Sequence, residues 1–170
     1  STTGFVSADY TLWTPLLTVL FFGLFFLGGS AGSTSGGIKV IRHLIMIKNG
    51  FQEFRRILHP NAILPVRYKG SSVDQKIVYN VLGFFILYSL SFIIGAAVFA
   101  GTGLDFETAL GASASSLGNV GPAFGELSPV DNYVSLSVFG KFWSSFLMLL
   151  GRLELFTVLI LFTSYFWKNS

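Results

Sequence analysis

The chain contains no cysteine, which excludes disulfides and thiolate metal centres from it. Charge is scarce as well. Only 11% of the 170 residues are Asp, Glu, Lys or Arg, against about 25% in soluble domains. Two histidines, His43 and His59, stand in a basic stretch without metal-ligand spacing. No triad, carboxylate dyad or metal cluster accompanies them, so an enzyme is not expected. No nucleic-acid partner is expected either. The chain opens on STTGF, a complete motif with nothing ahead of it, and reads as a piece of a longer protein.

What is abundant is oil and glycine. Hydrophobic residues make up 52% of the chain, mean hydropathy is +0.67, and there are nineteen Phe and nineteen Gly. Glycine is commoner in membrane helices than in soluble ones. The composition predicts an all-α integral membrane protein in contact with membrane lipid. Residues 77–100 run for 24 residues without a charge, enough for the ~20 residues of a spanning helix. Residues 14–29 form a shorter apolar run, and residues 134–167 a longer one broken by Lys141 and by GRLE at 151–154.

Charge predicts the orientation. Eight of the eleven Lys and Arg (Lys39, Arg42, Lys48, Arg55, Arg56, Arg67, Lys69 and Lys76) lie between the first apolar run and the second. The positive-inside rule places that segment in the cytoplasm. Asp9, Asp105, Glu107, Glu126 and Asp131 fall on the other side, opposed by Lys141. An acidic outer mouth concentrates cations.

Three stretches do not behave as ordinary spans. The segment DFETALGASASSLGNVGPAFG starts with Asp105 as a helix cap and Glu107 in the first turn. Its apolar, small-residue part, ETALGASASSL, is long enough for about 17 Å of helix. That is half a bilayer, so a re-entrant helix with a glycine-rich return is expected. Non-helical backbone at membrane depth is tolerated only where protein buries it or where it lines water. The second stretch, GGSAGSTSGG at 28–37, interrupts an otherwise helical crossing. Each glycine there costs about 1 kcal/mol of helix propensity against Ala. A phosphate-binding loop would need a G-K-[ST] ending, which is missing, and an interdomain linker would not begin at mid-membrane. The third is Arg152, a charge inside an apolar helix that Gly151 is expected to interrupt. Such a charge costs about 2.5–3.5 kcal/mol and marks function. Glu154, two residues on, points to a different face and reads as a packing residue. The carbonyls and hydroxyls of 28–37 are the expected receivers of Arg152.

TTGF at 2–5 and GNVGPAFG at 118–125 each precede a broken membrane helix, which indicates an internal repeat. With GGSAGSTSGGIKVIR, HPNAILPV and GRLELFTVLILF, in this order over nearly the whole chain, they resemble the Trk/Ktr/HKT superfamily of potassium transporters, within it the bacterial TrkH branch. The resemblance implies span–pore-helix–span repeats of potassium-channel type, four around one pore. Residues 1–50 would end the third repeat, 51–76 connect, and 77–170 form the fourth. It implies a selectivity filter with strands at Thr2, Thr3, Gly4 and at Asn119, Val120, Gly121, with K⁺ at Thr2, Thr3, Asn119 and Val120. Gating would fall to Gly28, Gly29, Ser30, Gly32, Ser33, Thr34, Ser35, Gly36, Gly37 and Arg152. Also implied are a bacterial inner-membrane location, a homodimer, first and second repeats on the same polypeptide, and a cytosolic nucleotide-binding regulatory subunit on the basic segment. The competing expectation is a non-conducting membrane scaffold or receptor subunit that keeps the pore-helix fold, which would have no need of the filter glycines.

Overall fold

The structure, a computed structural model, describes residues 2–59, 62, 64–130, 132–153, 155–161 and 167. Asp131, Glu154 and three residues of the HPNAILPV stretch lie outside the described residues.

Helix α3, Gln75–Gly101, is the mast of the fold. Its 27 residues give about 40 Å of helix, long enough to cross a bilayer with tilt. Asp74 caps its start by accepting from Lys76 N at 3.0 Å. Val78, Phe84, Tyr88, Gly95 and Phe99 form its buried side. Elsewhere Ile86, Leu90, Ile93 and Ile94 stand exposed, a surface suited to lipid or to further membrane helices rather than to water.

Helix α4, Phe106–Gly118, turns back against α3 and stops after 13 residues. At about 1.5 Å per residue it reaches only part-way through a bilayer. Ten of its residues are buried, from Thr108 to Gly118. Small side chains allow this, because they let neighbouring backbones close in. A Cβ on Gly95 of α3 would sit 2.5 Å from Ser113 Oγ, and one on Gly111 would sit 2.8 Å from Phe124 N. The buried hydroxyls are satisfied: Ser113 donates to the Phe92 carbonyl at 2.8 Å, and Ser116 pairs with Ser144 at 2.9 Å.

Helix α5, Val138–Arg152, packs along α4, where Ser144 meets Ser116, and also buries Gly140, Leu147 and Leu150. The break expected at GRLE, 151–154, is present: α5 ends at Arg152, one residue past Gly151, and α6, Leu155–Leu161, leaves at 119°. Gly151 has a second task. A side chain there would strike the Leu117 carbonyl oxygen, so the missing Cβ lets α5 touch the end of α4.

The N-terminal third supplies two helices separated by the glycine-rich loop. Helix α1, Pro15–Leu24, has 10 residues, and α2, Val40–Leu58, resumes after the 28–37 loop. Since α2 is continuous to Leu58, the boundary expected at residue 50 falls inside a helix. A two-residue hairpin, β1 (Arg67–Tyr68) and β2 (Ser71–Ser72), turns through Lys69 and Gly70, both at positive φ, before α3 begins.

Candidate functional site

Asn119 ends α4 by entering the left-handed region at φ 56°, ψ 38°, which Asn tolerates better than most residues. Its Nδ2 donates to the Met148 carbonyl at 3.0 Å, joining the turn to α5. Ser115 brackets the next two residues. Val120 N donates to the Ser115 carbonyl at 3.0 Å, and Gly121 N to Ser115 Oγ at 3.0 Å. That hydroxyl and Tyr133 Oη donate to the Gly121 carbonyl at 2.8 and 2.6 Å. Both lone pairs of this carbonyl are therefore used by protein. Gly121 has φ +110°, a conformation suited to glycine.

The N-terminal strand lies beside this turn. Gly4 has φ +72°, and a Cβ there would strike the Val120 carbonyl oxygen and sit 3.2 Å from Pro122 Cδ. A Cβ on Gly121 would lie 4.0 Å from Gly4 Cα. Two stretches more than a hundred residues apart thus meet backbone to backbone, and Thr2, also at positive φ, and Thr3 lead into the contact. Tyr10 secures the meeting: buried, it donates to the Ala123 carbonyl at 2.7 Å and packs on Phe124 at 5.2 Å. The C-terminal end of α4, the negative end of its dipole, points at this junction.

The 28–37 loop is folded directly beneath. Its mouth is pinned by Gly28 N on the Ile38 carbonyl (2.8 Å) and Val40 N on the Gly29 carbonyl (3.1 Å). Ser35 Oγ accepts from Gly29 N at 2.8 Å and pairs with Ser33 Oγ at 3.0 Å. Gly28, Gly36 and Gly37 are buried. A Cβ on Gly36 would meet Asn119 Cβ at 2.6 Å and the Gly118 carbonyl at 2.7 Å, so the loop sits against the base of the 119–121 turn. The tip, Ser30 to Gly32, and Thr34 are exposed.

The loop's cation is not the expected one. Lys39 Nζ donates to the Ser33 and Ser35 carbonyls at 2.5 and 2.6 Å. An ammonium at the start of α2 opposes that helix's dipole, and the two carbonyls compensate it. Arg152 is exposed at the end of α5, and among the described residues no bond joins it to 28–37. His43, with no metal-like company, bonds the Phe26 carbonyl at 3.1 Å and stacks edgewise on Phe85.

Sequence reasoning missed Lys39, Ser115, Tyr133 and Tyr10. A basic residue two positions after the last loop glycine was the available signal for Lys39. The long-range tyrosine bonds leave no local signal.

Residues 1–168 match the TrkH family, cation transport protein. The Trk system potassium uptake protein TrkH of Escherichia coli (strain K12) is 39% identical over 169 residues, covering 99% of this chain and 35% of that protein. The TrkH of Halomonas elongata is 42% identical with the same coverage. The crystal structure of the potassium transporter TrkH from Vibrio parahaemolyticus superposes with a TM-score of 0.89 at 39% identity, over 98% of this chain and 35% of that one. The chain spans about a third of the length of the relatives it matches. A short helix of small buried residues, a glycine-rich loop folded against its end and this likeness over almost every residue make the chain a member of the TrkH family of cation transport proteins.

Proposed function

We propose that this chain supplies two of the four filter strands of a potassium-translocating membrane protein. The observation that carries the reading is the contact of Gly4 with Val120 and Gly121 at the carbonyl end of α4. Carbonyls held there replace the hydration shell of a cation. The Gly121 carbonyl is engaged by Tyr133 and Ser115 and so holds its strand; Asn119, Val120, Thr2 and Thr3 are assigned as the K⁺ ligands. The remaining strands would come from first and second repeats on the same polypeptide, with a second copy and a nucleotide-binding subunit completing the assembly.

The 28–37 loop is the gate in this reading, since it lies against the 119–121 turn and is held by a few backbone bonds at its mouth and by side chains rather than by a helix. Lys39 holds it closed, and Arg152, exposed at the end of α5, adds an electrostatic barrier below the filter.

The decisive experiment substitutes Gly121→Ser in the full-length protein reconstituted in liposomes. A side chain at φ +110° distorts the strand, and the K⁺ over Na⁺ flux ratio should fall severalfold. An unchanged ratio removes the filter role.

A further inference from the structure

The first half of helix α2 packs Ile41 and Ile45 against Val78 and Val81 of α3, whereas its second half turns polar groups toward the connector and leaves an apolar stripe uncovered. Toward the connector, Lys48 Nζ, Gln52 Nε2 and Arg56 Nη2 donate to the carbonyls of Arg67, Pro65 and Leu64 at 2.9, 3.1 and 3.1 Å. On the far side Ile47, Phe51, Phe54 and Leu58 follow one another at the i, i+4, i+7, i+11 spacing of a helical stripe. All four are exposed, Phe51 at 67% and Phe54 at 69%.

Beside the stripe opens a cavity of about 620 Å³, lined by Lys48, Phe51, Arg55, Leu64, Pro65 and Arg67 among others. Lys48 and Arg55 are seven residues apart, two turns along one face, or about 10 Å. No carboxylate lines the cavity among the described residues, and Glu53 on α2 is paired with Arg56. Three like charges around one opening repel each other until an anion enters.

We propose that this cavity binds the headgroup of an anionic phospholipid of the cytoplasmic leaflet. Arg55 and Arg67 take the phosphate, for which planar guanidinium groups are suited, and Lys48 flanks it. The acyl chains run along Ile47, Phe51, Phe54 and Leu58. Charge complementarity favours this occupant, because the segment carries most of the chain's cations on the side where anionic lipid faces them. A soluble anion would satisfy the charges and leave the apolar stripe uncovered. The inference rests on the membrane placement of the chain and not on potassium translocation.

The test is native mass spectrometry of the full-length protein in mild detergent, titrated with phosphatidylglycerol or phosphatidylcholine. Phosphatidylglycerol should be retained and phosphatidylcholine shed. The double variant Arg55→Gln, Arg67→Gln should need about tenfold more phosphatidylglycerol for the same occupancy. Arg55→Lys with Arg67→Lys should retain most binding, which separates charge from misfolding, and Lys141→Gln on the opposite side should change nothing. Equal retention of both lipids, or full retention by the double Gln variant, overturns the site. Equal binding of glycerol phosphate without acyl chains reassigns it to a soluble phosphate and overturns the lipid. A benzophenone amino acid in place of Phe51, photolysed in native membranes, should yield an adduct of lipid mass. Cross-linking to a second protein, or to another part of the same polypeptide, would overturn it instead.

Discussion

The 118–125 turn and the 28–37 loop are both rich in glycine, lie in contact, and use glycine for opposite ends. In the turn, glycine permits backbone angles and close approach that buried groups then lock: Ser115 and Tyr133 on Gly121, Asn119 on Met148. In the loop, Gly36 and Gly37 fit against that turn, whereas the tip from Ser30 to Gly32 is exposed, and the fastening comes from two backbone bonds at the mouth and from Ser33, Ser35 and Lys39. Glycine content alone therefore does not distinguish a turn locked on every side from a loop with an exposed tip. The difference lies in what binds the surrounding backbone.

Two matched Gly→Ala changes should break the comparison most sharply. At Gly151 the new methyl would collide with the Leu117 carbonyl, which is backbone at the foot of α4 and cannot rotate away. Overpacking of this kind costs about 3 kcal/mol, and separating α5 from α4 should also abolish K⁺ flux. At Gly32 nothing lies within 4 Å of an added Cβ, so stability and flux should stay near wild type. Thermal unfolding of both full-length variants checks this, and equal midpoints would mean that α4 and α5 do not meet as described.

The loop's fastening is the next target. Lys39→Met keeps the chain length but removes the charge from the Ser33 and Ser35 carbonyls, which should loosen the loop and raise K⁺ flux severalfold in liposomes. Lys39→Arg retains donors and should stay close to wild type. In a full-length protein freed of any other cysteines, Ala31→Cys at the exposed tip gives a reporter of loop opening that does not depend on transport. Faster thiol labelling in Lys39→Met without any rise in flux would keep Lys39 as the fastener and remove the loop as the gate.

How much of this was legible beforehand follows the same division. The α4 start at Asp105, its small buried face and its stop near Gly118 are local features, written in capping chemistry and helix length. The break between α1 and α2 was equally plain, since five glycines in ten residues cannot continue a helix. The break at 151–154 was legible, but the second task of Gly151 was not, because a helix breaker and a close-contact glycine have the same letter. Only the neighbour, Leu117, tells them apart. Lys39 and Arg152 were both cations near a polar loop, and the sequence gives no distance between either and the loop. The Tyr10 and Tyr133 bonds depend on packing of distant segments and could be seen only in the fold.

Within the locked turn, Tyr133→Phe sharpens the account. It removes one of two donors to the Gly121 carbonyl, a loss of about 1 kcal/mol for an ordinary hydrogen bond. The freed carbonyl can then swing toward the strand of Gly4, so K⁺ over Na⁺ selectivity should fall modestly, by less than in Gly121→Ser. A selectivity identical to wild type would show that Ser115 alone fixes this carbonyl.

The smallest effect is expected at the other end of α4, where the turn's support begins. Asp105 is the N-cap, and Thr108 N donates to its Oδ2 at 3.4 Å. The Thr108 side chain, chiefly, holds its carboxyl below the usual carboxylate range. A carboxylate depressed in the folded state stabilises it fully above the unfolded value, near 3.9, and loses that contribution as pH falls through the folded value. Asp105→Ala should therefore lower the unfolding midpoint slightly at pH 7, because the group is exposed and solvent screens it. On acidification the wild type should lose its advantage and the two midpoints should converge below about pH 4. Selectivity should not change, because the turn at Asn119 is held by Ser115, Met148 and Tyr133 and not by the far cap. A gap between the variants that persists unchanged at low pH would assign the effect to the local backbone rather than to the carboxylate, and a loss of selectivity would mean that α4 transmits its cap to the turn as one rigid rod.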